Sequence, residues 1–315
     1  MRINYLRVSV TDRCNFNCIY CRPKEKVPLL PREELLSFEE ILRFIKFVLP
    51  WGLERVRITG GEPLVRKGVI ELIRMIAKID KIKDVCLTTN GAFLEEFALD
   101  LKKAGLKRVN VSLDTLKREK FKIITGSDSF LKVLKGIEVA RKVGLEPVKV
   151  NVVVLKGINE EEILDFVDFA AKNKLVVRFI EYMPFNGEKD KNFYFSNKTV
   201  KKVIEEKWGK LYPASFSGGG PASYFKIKNI PCLVGFISPF SEPFCTGCSK
   251  LRLSAEGRLR PCLASNYEID VKEILRGKNQ EKEINKVINT ALEFKEKRSS
   301  LSFANPNRFM FQIGG

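Results

Sequence analysis

The chain has 315 residues, 44% of them hydrophobic and 30% charged, a balance that suits one large or two medium globular domains and excludes a disordered or fibrous polymer. It contains no histidine, so every metal site and every acid–base scheme that needs an imidazole is excluded. A formal charge of +18 invites a nucleic-acid reading, but no run of five like charges occurs, and polyanionic small substrates use a scattered charge better.

No stretch approaches the roughly 18 apolar residues of a membrane span, and Met1-Arg2-Ile3-Asn4 opens no signal-peptide core. A cytoplasmic protein without membrane or nucleic-acid partners is therefore expected. In that compartment its eight cysteines point to metal or cluster chemistry and away from disulfides.

Strand and helix patterns alternate about every thirty residues as far as position 185. The strand candidates are Leu6–Thr11, Arg55–Thr59, Val85–Thr89, Arg108–Leu113, Val148–Leu155 and Val177–Tyr182. Between them lie amphipathic helices. One carries the stripe Ile41, Phe44, Ile45 and Val48 behind a Ser37-x-x-Glu40 capping box. Another carries Leu72, Met75, Ile76 and Ile79, and a third Ile163, Phe166, Val167 and Ala170. Six βα units of this kind predict a parallel sheet, open or closed partway into a (β/α) barrel.

Parallel strands covered on both faces should be continuous apolar runs, yet these alternate. Leu6, Val8 and Val10 oppose Arg7, Ser9 and Thr11; Val56 and Ile58 oppose Arg57 and Thr59. Val109 and Val111 oppose Asn110 and Ser112, and Val148 and Val150 oppose Lys149 and Asn151. With helices on the apolar face, the other face lines a wet, cationic lumen.

After Met183 the pattern changes. A helix near Thr199–Trp208 precedes the glycine-rich Ser217-Gly218-Gly219-Gly220-Pro221, and short strands are expected at Tyr224–Ile227 and Leu233–Ile237. Lys250–Leu253 and Arg258–Pro261 read as a hairpin, followed by polar helices and the tail Met310–Gly315. Residues 1–215 and 216–315 are expected to divide the chain into a barrel and a smaller α+β region.

Cys14, Cys18 and Cys21 follow the first strand with C-x3-C-x2-C spacing, at the mouth where barrel sites lie. Three thiolates on one loop can hold three irons of a 4Fe–4S cluster and leave the fourth open to a ligand; zinc would need a fourth protein ligand that cannot be histidine. Gly60-Gly61-Glu62-Pro63 follows the second strand at the same mouth, where Glu62 could pair with an ammonium group. Cys245, Cys248 and Cys262 repeat the three-thiolate theme with C-x2-C-x13-C spacing. Either a second open cluster or a zinc site closed by Cys232 fits them, while Cys86 reads as a buried core thiol.

Cys14-Asn-Phe-Asn-Cys18-Ile-Tyr20-Cys21 together with Gly60-Gly61-Glu62-Pro63 closely resembles the radical S-adenosylmethionine (SAM) superfamily. Further segments narrow the resemblance, over nearly the whole chain, to the GTP 3′,8-cyclase family. They are Leu6–Asn15, Arg57–Leu64, Thr88-Thr89-Asn90-Gly91, Asn110–Asp114, Lys149-Val150-Asn151, Arg178–Met183, Gly220-Pro221-Ala222, the second cysteine set and the terminal Gly-Gly. The resemblance implies a partial (β/α)6 TIM-like barrel of the radical SAM type, two 4Fe–4S clusters, and SAM chelated by the open iron of the first.

The implied reaction is conversion of GTP to 3′,8-cyclo-7,8-dihydro-GTP, the first step of molybdenum cofactor biosynthesis, through a 5′-deoxyadenosyl radical that takes the ribose C3′ hydrogen. The resemblance assigns Tyr20, Gly61, Glu62, Ser112 and Met183 to SAM, and Arg7, Arg57, Thr88, Lys149 and Arg178 to GTP. Lys250 and Arg252 stand where the family usually has two arginines, so Lys250 keeps the charge without the bidentate fork. Arg252 is expected near the purine on the second cluster, and Gly314 and Gly315 are expected to reach into the site. A low-potential electron donor, delivery of product to the next enzyme of the pathway and a possible homodimer complete the expectation. The alternatives are a radical SAM peptide-modifying enzyme and a basic nucleic-acid-binding protein with two zinc sites.

Overall fold

The period-two runs become strands and the 3.6-period runs become helices, in the expected order. In the computed structural model, which describes residues 2–22, 27–185, 193–216, 220–243, 248–297 and 308–314, β1 (Tyr5–Ser9) leads through the cysteine loop to α1 (Phe38–Val48) and β2 (Arg55–Thr59). Then come α2 (Val69–Ala77), β3 (Asp84–Thr89), α3 (Leu94–Lys103), β4 (Arg108–Ser112), α4 (Arg118–Thr125) and α5 (Phe130–Lys142). β5 (Lys149–Val154), α6 (Ile163–Lys172) and β6 (Val176–Glu181) complete the alternating part. The remainder is α7 (Asn197–Trp208), β7 (Leu211–Pro213), β8 (Ser223–Ile227), β9 (Ile230–Ile237), β10 (Lys250–Leu253), β11 (Arg258–Arg260), β12 (Ile269–Asp270), α8 (Lys272–Arg276), α9 (Gln280–Lys297) and α10 (Met310–Ile313).

α1 starts where the capping box says it should: the Ser37 hydroxyl accepts from the Glu40 amide at 3.1 Å, and the Glu40 carboxylate accepts from the Ser37 amide at 2.7 Å. Ile41, Phe44, Ile45 and Val48 are all buried, as are Ile163, Phe166, Val167 and Ala170 on α6. They pack on Leu6, Val8, Val56, Ile58, Val109, Val111 and Val150 of the strands. Each such side chain contributes about 1.5–3 kcal/mol on burial. α2 is shorter than its stripe suggested: it stops at Ala77, so Ile73 joins Leu72 and Ile76 in the core while Ile79 lies beyond the helix.

The described strands of the chain's second half join the same sheet as the first. One sheet runs β12-β11-β10-β1-β2-β3-β4-β5-β6-β9-β8-β7. β9 pairs parallel with β6, and β10 pairs parallel with β1, so the last third of the chain supplies a further parallel strand at each side of the six-strand core. Both new strands spend their far edges on antiparallel neighbours, β8 and β11, which leaves the barrel partial. The expected boundary at 215/216 falls in the connection between β7 and β8, which pair with each other. β10 and β11 form the expected hairpin, and α8 and α9 pack back on α1. The tail expected at Met310–Gly315 folds into α10, with Phe311 and Ile313 buried.

Register then sets the site. Arg7 stands opposite Arg57 on one side and Arg252 on the other, so three guanidiniums share one row of the inner face. Arg178 stands opposite Gly235. A Cβ at Gly235 would come within 2.9 Å of both the Arg178 side chain and the Tyr224 ring, so the missing side chain is what lets Arg178 lie across the strand.

Candidate active site

At the C-terminal ends of the strands the inner face opens into a cavity of about 320 Å³. Its walls carry Arg7, Cys14, Cys18, Tyr20, Cys21, Arg57, Gly61, Thr88, Ser112, Arg178, Met183, Cys248, Lys250, Arg252 and Cys262. These are residues the sequence assigned to three separate jobs, and they come from both halves of the chain.

The first wall is the cysteine loop. Its backbone is tied to α4 by Asn17 N–H to Thr125 C=O (2.8 Å) and Ile19 N–H to Ile124 C=O (2.9 Å). The glycine segment after β2 holds it from the other side: Gly61 N–H donates to Thr11 C=O at 2.7 Å and Glu62 N–H to Arg13 C=O at 2.8 Å. A Cβ on Gly61 would collide with the Arg13 carbonyl, so only glycine permits this approach. The Cys14 sulfur accepts from Phe16 N–H at 3.4 Å and from the Asn90 amide at 3.8 Å.

Burial raises the pKa of all three thiols, that of Cys21 to about 12, and their proximity to one another adds to the rise at Cys18. Three thiols in that state become thiolates when a metal centre supplies the compensating positive charge. Among the described residues no three thiols or carboxylates converge on a single point as the ligands of one ion do. Sulfurs that each hold a different iron of a cluster need no such convergence. The donor set thus fits a cluster with one open iron.

Tyr20 extends this wall; its hydroxyl donates to Asp114 at 2.6 Å, and the other Asp114 oxygen accepts from Val153 N–H at 2.8 Å. Burial pushes the Asp114 carboxyl up to about 6 against these hydrogen bonds. Ser112, Gly61 and Met183 also face the cavity.

Glu62 departs from expectation. It is 0% exposed, and its carboxylate accepts from Leu64 N–H (3.0 Å), the Thr89 hydroxyl (2.8 Å) and Asn90 N–H (2.7 Å). It is not among the residues of the cavity wall and ties the glycine segment to the end of β3, with two donors on one oxygen and one on the other. Burial raises its pKa to about 7, with the same three donors opposing the rise.

The second wall is cationic and unevenly accessible: Arg57 and Arg178 are only 3% and 4% exposed, whereas Arg7, Lys250 and Arg252 are half-buried. Like charges stand side by side there because neutral oxygens separate them. Arg178 donates through Nε (2.8 Å) and Nη2 (2.5 Å) to the Asn151 amide oxygen. With its amide oxygen turned inward, Asn110 accepts from Arg57 at 2.5 Å and from Arg178 at 2.6 Å. Arg57 also donates to the Tyr5 hydroxyl and, at 3.3 Å, to Thr88. Burial, reinforced by Arg7, lowers Arg252 to about 9; burial lowers Lys250 to about 7, opposed by Cys248 and aided by Arg252 and Arg7.

Lys149 also departs from expectation. Its side chain is inward in phase but does not reach the cavity wall; it is 1% exposed, donates to the Tyr224 hydroxyl at 3.2 Å and lies over the Phe216 and Tyr224 rings at 4.5 and 5.3 Å. Burial first, then Arg178, Arg108 and Arg57, lowers its pKa to about 6.

Cys248 and Cys262 face the cavity from the β10–β11 side; Cys245 and Gly315 lie outside the described residues. Burial raises the Cys248 thiol, but Lys295 and Lys250 more than offset it and hold the pKa below the usual value. Cys232 is on the opposite, helix-facing side of the sheet, with its sulfur 3.8 Å from the Val167 carbonyl of α6, so it does not complete a closed site with them. Cys86 is buried with its sulfur 3.7 Å from Val56 C=O, the core thiol expected. The Gly314 carbonyl accepts from Arg252 at 3.2 Å and Arg7 at 3.4 Å, which brings the tail to the row of arginines.

Tyr5 and Lys295 carry no expectation from the sequence, and Asn110 and Asn151, expected on the lumen face, were given no role there. Asn110 and Asn151 share the strand phase of Arg57 and Lys149, so the signal existed but amides carry no charge to flag. Tyr5 sits two residues before Arg7 in the same phase. Lys295 lies in a stretch that reads only as polar helix.

Residues 8–170 match the family described as Radical SAM superfamily, and residues 175–301 the one described as Molybdenum Cofactor Synthesis C. The chain is 46% identical to the GTP 3′,8-cyclase of Thermodesulfovibrio yellowstonii over 99% of this chain and 98% of that protein. It is 45% identical to the GTP 3′,8-cyclase of Petrotoga mobilis over 86% and 84%. In three dimensions it resembles Streptococcus suis SuiB bound to S-adenosylmethionine, with a TM-score of 0.62 over 90% of this chain and 68% of that one; at 17% identity this likeness shows the fold alone. No described helix is long and apolar enough to cross a membrane. Two family matches covering both halves of the cavity, and relatives of the same name along nearly the whole length, lead to one conclusion: the chain belongs to the GTP 3′,8-cyclase family of the radical SAM superfamily.

Proposed function

We propose that the chain converts GTP to 3′,8-cyclo-7,8-dihydro-GTP, the first step of molybdenum cofactor biosynthesis, by removal of the ribose C3′ hydrogen with the 5′-deoxyadenosyl radical that a bound 4Fe–4S cluster and SAM supply. The observation that carries this reading is a single cavity with three thiols on one wall and four guanidiniums, two of them buried, on the other. Cys14, Cys18 and Cys21 would hold the first cluster. Tyr20, Gly61, Ser112 and Met183 would orient SAM against it.

Arg7, Arg57, Thr88, Arg178 and Lys250 would hold the triphosphate through charge-assisted hydrogen bonds, the arginines in bidentate fashion. Lys149 would join them once the Tyr224 hydroxyl releases it. Cys245, Cys248 and Cys262 would hold a second 4Fe–4S cluster whose open iron meets the purine beside Arg252. Gly314 and Gly315 would order Arg7 and Arg252 on the tail carbonyl. Fixing the nucleotide at both ends keeps C3′ and C8 close, which removes much of the entropic cost of ring closure. A cytoplasmic monomer or homodimer, an external low-potential donor and transfer of product to the next enzyme of the pathway belong to the same proposal.

The test is anaerobic incubation of the iron-loaded chain with SAM, dithionite and GTP deuterated at C3′. Deuterium in 5′-deoxyadenosine, with an isomer of GTP of altered retention, is the expected result. Unlabelled 5′-deoxyadenosine and intact GTP would sink the substrate assignment.

A further inference from the structure

α9 buries Ile284, Val287, Ile288, Ala291 and Leu292 against the body of the protein. Lys295 continues that stripe one turn beyond Leu292 and Ala291, so the helix carries it inward where its neighbours Glu296 and Lys297 are exposed. A lysine in a helix's last turn ordinarily caps its own helix's carbonyls. This one leaves its helix. Its ammonium donates to Lys250 C=O at 3.0 Å, to Pro261 C=O at 2.9 Å and to the Cys248 sulfur at 3.6 Å.

Those three acceptors match the three N–H donors of an ammonium group, and they are not a random set. Lys250 lies two residues after Cys248, and Pro261 immediately precedes Cys262. One side chain therefore ties together the two limbs that carry two of the cysteines, at the residues next to the sulfurs, and puts a fixed positive charge against one sulfur. Lys295 also borders the cavity itself.

We infer that Lys295 is the positioning residue of the C-terminal cysteine site: it sets the separation of the Cys248 and Cys262 limbs and raises the reduction potential of the cluster they hold. The inference rests on the proposed second cluster. Three carbonyl and thiolate contacts fix the ligands before the cluster arrives, as outer-shell partners do at other metal sites. A cation at a ligating sulfur favours the more electron-rich, reduced cluster, and hydrogen bonds to sulfur act in the same direction.

The test loads the full-length chain with iron and sulfide anaerobically and reads bound iron per chain and the midpoint potential of each cluster by EPR-monitored titration; the cluster whose signal changes on SAM addition is the N-terminal one. The unsubstituted chain should bind about eight irons, the content of two 4Fe–4S clusters. A content of about four would overturn the second-cluster reading itself. Lys295→Met should lower the potential of the SAM-insensitive cluster and reduce its occupancy by about half or more, given the roughly 10- to 100-fold affinity cost of losing an outer-shell partner. Lys295→Arg, which keeps charge and donors, should restore both. Lys297→Met on the exposed turn removes the same charge and should change neither. Two clusters at unaltered potential and occupancy in Lys295→Met would overturn the inference, as would an equal effect from Lys297→Met. Should Lys295→Met fail to fold, Lys295→Gln, which keeps donors and drops the charge, must lower the potential for the inference to stand.

Discussion

Cys14, Cys18 and Cys21 sit on one loop, tied by backbone hydrogen bonds to α4 and to the glycine segment after β2, with charges of both signs nearby: the Asp114 and Glu62 carboxyls and the Arg22 guanidinium. Cys248 and Cys262 stand on two limbs of a hairpin, tied by a lysine and flanked by Lys250 and Arg252. Burial raises the first set of thiols; at Cys248 the cations overcome it. The contrast matters because SAM and GTP both contain a purine nucleoside. Shape alone separates them poorly, whereas a sulfonium zwitterion and a triphosphate differ greatly in charge. A cavity of mixed charge at one wall and cationic at the other sorts them by electrostatics.

The sharpest way to break that division is to remove one thiol from each side. Cys14→Ser should abolish formation of 5′-deoxyadenosine, a loss greater than the roughly 100-fold that follows loss of even an outer-shell partner. Cys262→Ser should spare that cleavage and suppress conversion of GTP. Both products are read in one anaerobic chromatographic assay, and full conversion of GTP by Cys262→Ser would remove the C-terminal site from the reaction.

A smaller effect is expected on the cationic wall. Arg178 loses two hydrogen bonds to Asn151 and one to Asn110 on truncation, and with them the fork that suits a phosphate. Arg178→Ala should raise the KM for GTP about 10- to 100-fold, from the 1.5–3 kcal/mol of a charge-assisted hydrogen bond, while the KM for SAM moves far less. Arg178→Lys should recover only part, since the ammonium cannot replace the fork. An equal rise in both KM values would mean that the walls do not divide the two nucleosides.

Much of this was legible in the residues. Local signals sufficed for β1 to β6, because each βα unit announces itself within about thirty residues, and period-two phase put Arg7, Arg57 and Arg178 on one face. The pairing of β10 with β1 was not legible. It joins Tyr5 to Lys250 across most of the chain, and a four-residue run such as Lys250–Leu253 carries no mark of its partner. A carboxylate beside two glycines at a barrel mouth reads as available; only the fold shows that Leu64, Thr89 and Asn90 donate to it. Lys295 needed the hairpin and α9 to meet before it had any meaning.

Glu62 gives the next test in size. If it braces the N-terminal wall, Glu62→Gln sets an NH2 group against one of its donors and should cost about 1–3 kcal/mol of stability. That is a fall of several degrees in Tm by calorimetry, with little change in SAM affinity for the chains that remain folded. A tenfold weaker affinity for SAM at unchanged Tm would restore the ammonium-pairing role.

The finest distinction lies in protons. Lys149 is held at about 6 by burial and by Arg178, Arg108 and Arg57, far below the ordinary lysine value near 10.4. Between those limits the unfolded chain binds the proton and the folded chain does not, so stability rises with pH across that window and gains nothing further below pH 6. Lys149→Met removes this slope and should therefore stabilise the protein most at and below pH 6, with the gain shrinking steadily toward about pH 10. A triphosphate beside Lys149 works the other way, because a nearby anion restores the charged form. Binding of GTP at pH 7.5 should then take up close to one proton through this group, and affinity should weaken as pH rises above about 6. Titration calorimetry in buffers of different ionisation enthalpy counts that proton directly. Lys250, lowered to about 7, contributes a second, partial uptake, so the decisive quantity is the difference between the parent and Lys149→Met. A difference near one proton means that Tyr224 surrenders the ammonium to the phosphates. A difference near zero means that Lys149 stays beneath Tyr224 and Phe216 as part of the barrel floor, and that the cationic wall binds the triphosphate through its arginines and Lys250 alone.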